Sequence, residues 1–151
     1  MRLSVHGSRT LSDERVEIIL REEIEQHGVD HVVTHAEPSG VCKVARDLCK
    51  KLPLPLTLHF LDFKFLRGAF EHRSKAVLRD CDRAVFVHDG SSKGTSNELA
   101  LAKKIGKPHS YHQLDVPDHE TSVGFPIENE WQVDDDELSA STLPVEIPGG
   151  V

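Results

Sequence analysis

Glu98 stands three residues beyond Thr95 and four beyond Gly94, in the run Asp89-Gly90-Ser91-Ser92-Lys93-Gly94-Thr95-Ser96-Asn97-Glu98. A carboxylate one turn past a loop rich in glycine and hydroxyls suits two kinds of chemistry. It can hydrogen-bond a sugar hydroxyl, or it can assist proton transfer at a glycosidic bond. A purely structural reading also accounts for the pair: Thr95 as N-cap and Glu98 at the third helical position form a capping box. In the loop itself, Gly90 and Gly94 let the backbone approach a ligand with no Cβ in the way, and Ser91 and Thr95 place hydroxyls beside it. Such a loop at a helix start gathers free backbone N–H groups and the positive end of the helix dipole at one point. That combination suits a phosphate.

Gly7, Ser8 and Arg9 form a second polar loop after an apolar stretch. A guanidinium in that position can fork onto a phosphate, worth about 1.5–3 kcal/mol per charged hydrogen bond. His72, Arg73 and Lys75 share the polar side of a later helical pattern. They make a solvated basic face or, if that helix lies over the loops, they aim a cation at the ligand, and Arg73 is the candidate clamp. The ten histidines are scattered singly without a helix-face metal motif, which reads as strand-end and surface residues. Cys42, Cys49 and Cys81 are odd in number and lack C-x-x-C spacing, so neither a disulfide framework nor a zinc site is indicated. No metal and no cofactor is expected.

The elements that must position these residues follow from apolar periodicity. Residues 84–87 (AVFV) read as a buried parallel strand, and from Thr95 the pattern turns helical, with Leu99, Ala102 and Ile105 on one face. Gly106 and Pro108 stop that helix. Residues 2–6 form a first strand, with a helix from about residue 11 carrying Val16, Ile19, Leu20 and Ile24. A strand at 31–34, a helix at 41–51, a strand at 54–60, a helix from 69 and a strand at 107–112 complete the series. Residues 61–68 are the least readable; Phe60, Phe63, Phe65 and Phe70 suit core or dimer-interface packing. The alternation implies an α/β fold, a Rossmann-like three-layer sandwich of about five parallel strands with helices on both faces. In such sheets ligands bind beyond the carboxyl ends of the strands where the strand order reverses. The first and fourth strands carry the two glycine loops and are therefore expected to be neighbours.

Composition sets the frame. With 151 residues, 38% hydrophobic and 28% charged, the chain reads as one soluble domain, with no apolar stretch long enough to span a membrane, no leader, and a cytoplasmic location. The net charge of -7 is uneven: residues 114–151 hold ten of the 25 acidic residues and none of the 18 Lys and Arg. That leaves 18 basic against 15 acidic residues in 1–113, a body of +3 that can accept an anionic ligand. Residues 1–113 thus form the domain. Residues 114–151, with four prolines and the acidic run at 134–137, read as an irregular, extended or disordered acidic tail, which Phe125, Ile127 and Trp131 can pin.

Taken together, Gly7-Ser8-Arg9, Arg73, the Asp89-to-Glu98 run and Ala102-x-x-x-Gly106-Lys107-Pro108 resemble the SLOG superfamily of Rossmann-like nucleotide-binding domains, in particular its YspA-like branch. The resemblance covers about residues 1–113. It extends more distantly to DprA/Smf proteins and to LOG-type phosphoribohydrolases, where an arginine and the glutamate of a G-T-x-x-E segment serve cleavage of an N-glycosidic bond. Gly90-Ser91-Ser92 replaces the P-G-G of the LOG phosphate loop, and residues 35–42 keep only Gly40-Val41 of the second glycine loop. The resemblance implies a nucleotide or nucleotide-derived ligand held by Gly7, Ser8, Arg9, Gly90, Ser91, Gly94 and Thr95. Arg73 would be its cationic clamp and Glu98 its ribose contact, or, with Arg73, the machinery of an N-glycosidic hydrolase. The alternative is a DprA-like module that binds single-stranded nucleic acid or a protein partner without catalysis. A homo-oligomer formed through the phenylalanine-rich segment is expected in either case.

Overall fold

Alternation sorts the strand side chains into two interiors. In β1 (Arg2–Gly7), Leu3 and Val5 face one way and Ser4 and His6 the other, and all four are buried. In β4 (Arg83–His88), Val85 and Val87 join the first set, Ala84 and Phe86 the second. The structure, a computed structural model, describes residues 1–116 and 143–149. Its sheet has the order β5-β4-β1-β2-β3-β6, with β2 (His31–His35), β3 (Leu56–Phe60) and β5 (His109–Gln113) parallel to β1 and β4. Helices α1 (Glu14–His27) and α2 (Gly40–Lys51) cover one face, and α3 (Ala69–Arg79) and α4 (Lys93–Lys104) the other. The α/β reading and the neighbouring of the first and fourth strands are thus observed.

The two faces differ in kind. Under α1 and α2, Leu3, Val5, Val16, Leu20, Val41, Leu48 and Val85 belong to one apolar cluster. Under α3 and α4 the apolar cluster shrinks to Leu78, Ala84, Phe86, Leu101 and Ala102. Buried polar groups occupy the remainder, among them Ser4, His6, His35, His59 and Glu98. The basic side of α3 is part of this interior: His72, Arg73 and Lys75 are all buried, Lys75 at 1% exposure, and none is the solvated face that its charge suggests. Glu71 explains part of this, since its carboxylate meets Lys75 Nζ at 2.7 Å one turn along the helix.

Three boundaries depart from the sequence reading. The first helix starts at Glu14, not near residue 11, because Asp13 is the N-cap and accepts from Arg15 N; Leu11 instead sinks into the core. A 3₁₀ turn, Phe63–Gly68, fills the unreadable segment. The sheet also gains a sixth strand, β6 (Leu143–Ile147), which runs antiparallel along β3 and comes from the stretch read as irregular tail. Glu146 explains its attachment in part: both carboxylate oxygens accept from Thr57 Oγ1, at 2.9 and 2.8 Å. The acidic run at 134–137, Phe125, Ile127 and Trp131 lie outside the described residues. Among the described residues, no helix is long and apolar enough to cross a membrane.

Candidate functional site

Counting outward from β1, the chain fills β2 and β3 on one side and β4 and β5 on the other, so the strand order reverses between β1 and β4. At the carboxyl end of this seam the two glycine loops touch. Ser8 N donates to Val87 O at 3.1 Å, and Asp89 N donates to Ser8 Oγ at 3.0 Å. Gly7 and Gly90 serve this arrangement differently. A Cβ on Gly7 would lie 2.4 Å from Val41 Cβ, so this glycine lets α2 close onto the strand and does not bare the backbone to a ligand. Gly90 turns the chain at φ +91°, a conformation that side chains rarely adopt.

The loop amides expected to hold a phosphate hold Asp89 instead. Its Oδ1 accepts from Ser91 N at 2.9 Å and from Ser92 N at 2.8 Å, and its Oδ2 from Thr10 Oγ1 at 2.7 Å. Burial pushes the Asp89 carboxyl up, but the Thr10 hydroxyl and the two amides outweigh it and hold it below the usual carboxylate range. The helix cap is displaced as well. Ser92, not Thr95, is the N-cap of α4, and its Oγ accepts from Thr95 N at 3.5 Å. Glu98 therefore sits in the second turn of the helix and is released from the capping role.

Beside this seam, two guanidiniums share one carboxylate. Glu37, in the loop after β2, accepts at the same oxygen from Arg9 Nη2 at 3.0 Å and from Arg73 Nη2 at 2.6 Å. The Phe70 ring packs beneath both cations, 5.9 Å from Arg9 and 5.4 Å from Arg73. Burial raises the Glu37 carboxyl, and the charges of Arg73 and then Arg9 more than offset it, so Glu37 stays ionised. Arg73 is 4% exposed, and its Nε is a buried donor without a hydrogen-bond partner among the described residues.

Glu98 turns inward, 6% exposed, onto two imidazoles. Its Oε2 lies 2.9 Å from His6 Nδ1 and 2.7 Å from His35 Nε2. Burial opposes the charge on Glu98, but His35 and His6 outweigh it and hold the carboxyl well below the usual range. Burial also depresses His35, which favours the neutral imidazole. Outward, His6 Nε2 is 2.7 Å from Ser4 Oγ, and His35 Nδ1 is 3.7 Å from Cys42 Sγ, whose thiol burial pushes up to about 12. Ser4, His6 and Glu98 have the connectivity of a nucleophile triad. Ser4, however, is wholly buried within β1, where no acyl substrate can meet it.

The fold thus brings Ser8, Arg9, Gly90, Ser91 and Arg73 to the carboxyl edge of the sheet. Gly94 and Thr95 lie in the first turn of α4, with Thr95 buried. Glu98 belongs to a separate, interior group. Sequence reasoning missed His6, His35, Glu37 and Asp89 as members of these clusters. The available signal was the alternation Ser4-x-His6, which in a sheet covered on both faces means a polar interior and not a wet surface. The chain matches no family model, no curated protein and no solved structure.

Proposed function

We propose that this chain binds a small phosphorylated ligand, of the nucleotide or nucleotide-derived class, at the carboxyl edge of the sheet where β1 and β4 part. The observation that carries the reading is the Arg9–Glu37–Arg73 group beside the topological switch point: two guanidiniums meet at one carboxylate oxygen, and Arg73 Nε is a buried donor without a hydrogen-bond partner among the described residues. A ligand phosphate would replace Glu37 on one or both guanidiniums. The Asp89 loop then acts as a braced wall and lends its remaining polar groups, since Asp89 itself fills the anion position formed by Ser91 N and Ser92 N.

The same geometry favours binding over turnover. A glutamate that acts at an anomeric carbon must reach it, and Glu98 is held by two imidazoles inside the fold. Isothermal titration and thermal shift of the full chain against nucleoside mono- and diphosphates, ribose 5-phosphate and inorganic phosphate test the proposal. At about 100 times Kd the expected stabilisation is roughly 2.7 kcal/mol. Arg9→Ala should weaken binding by 10-fold or more, from about 1.5 kcal/mol per charged hydrogen bond. A flat response across the panel ends the reading. The nucleoside monophosphates should remain intact; release of free base that disappears in Glu98→Gln would restore hydrolysis.

A further inference from the structure

We propose that His6, His35 and Glu98 form a binding site for one divalent first-row transition-metal ion of the zinc class. This goes beyond the ligand reading above and does not depend on it: the three residues lie inside the fold, and neither Arg9 nor Asp89 takes part. One donor comes from β1, one from the end of β2 and one from α4, so the pairing of parallel strands and the docking of a helix create the cluster. The donor atoms all lie within 4.8 Å of one another.

The chemistry of the set suits such an ion. Two imidazoles and a carboxylate, the donors that the described residues bring together, are a set for zinc, cobalt or ferrous ions, whereas magnesium and calcium demand more oxygens. Metal–ligand bonds of about 2.0–2.2 Å in a tetrahedron put neighbouring donors roughly 3.4 Å apart. Glu98 Oε2 now stands 2.9 and 2.7 Å from the two ring nitrogens, so admitting an ion requires an opening of about 0.5–0.7 Å, within reach of a side-chain adjustment. Ser74 Oγ, 3.3 Å from His35 Nε2, can supply a fourth oxygen.

Second, the outer nitrogens are already held. His6 Nε2 bonds Ser4 Oγ, and His35 Nδ1 faces Cys42 Sγ, whose S–H is directed at Val5 O and so leaves the sulfur free to accept. With N–H on those outer atoms, the inward nitrogens present lone pairs. Held outer nitrogens are the usual support of metal-bound histidines. Binding an ion requires the N–H of each ring to sit on its outer nitrogen, where Ser4 Oγ and Cys42 Sγ can accept it. The burial of all three side chains makes loading and chelator stripping slow.

The test uses the full chain, stripped with a chelator and titrated with Co²⁺ and with Zn²⁺. One Co²⁺ per chain, giving saturable visible absorption that Zn²⁺ displaces and millimolar Mg²⁺ does not, is expected. In folded His35→Asn and Glu98→Gln variants the affinity should fall at least about 100-fold, since even outer-shell changes cost 10–100-fold. If those variants do not fold, imidazole ¹⁵N spectra of the unaltered protein decide. Zn²⁺ should shift Nδ1 of His6 and Nε2 of His35. Perturbation confined to other histidine rings, or titration without a saturable one-to-one step, overturns the site.

Discussion

A carboxylate that two arginines share is both a structural tie and a competitor for any anion that arrives. Glu37→Gln removes the competing charge, so phosphate-ligand affinity should rise, about tenfold or more if one charged hydrogen bond of 1.5 kcal/mol is released; calorimetry on the variant measures it, and unchanged or weaker affinity argues against exchange at Arg9 and Arg73. Asp89 makes the opposite kind of contribution. Asp89→Asn loses charge-assisted bonds to Ser91 N, Ser92 N and Thr10 and should cost about 1 kcal/mol at neutral pH, the partial exposure of the loop keeping the figure low. The folded carboxyl lies below its ordinary value of 3.8, so its stabilisation is complete above that value and is lost as pH falls through the folded value. Urea midpoints of the two proteins should therefore converge only below pH 3.8. Asp89 stood within the loop run read from the sequence, but its hold on Thr10 was not legible there, because 79 residues separate them along the chain.

At the scale of elements, the strand–loop–helix from β4 through α4 could be read almost complete. The β-branched run before the glycines is short, and Gly106 with Pro108 ends the helix. The cap was misplaced by three residues because Ser92 and Thr95 both satisfy the N-cap chemistry, and local pattern does not choose between them. The choice is tertiary: starting at Lys93 rotates Glu98 into His6 and His35. Ser92→Ala should cost about 1 kcal/mol in denaturant unfolding. A loss no larger than that of an exposed Ser→Ala elsewhere in α4 would remove Ser92 from the cap. The polar face of α3 was misread for a related reason. Charge density in a helix signals solvent only when nothing covers it, and here the sheet and the residues around Phe70 cover His72 to Lys75.

For the whole molecule, the doubly covered sheet followed from the βα alternation, whereas β6 did not. Five residues containing a proline and a glutamate carry little strand signal by themselves, and their partner is the edge of β3, some 85 positions earlier. That edge is a liability when bare. A chain ending at residue 142 should lose stability, by at least about 5 °C in Tm, and should associate in light scattering; unchanged melting and a monodisperse profile would mean that β6 is dispensable. The α4 helix links the remaining features into one lever. Ser92 starts it against the Asp89 loop, and Glu98, about 9 Å along its axis, grips a ring from each of two strands. A displacement at the start of α4 would therefore reach two buried imidazoles. Their resonances make a built-in gauge of whether the mouth of the sheet is occupied, readable without a label.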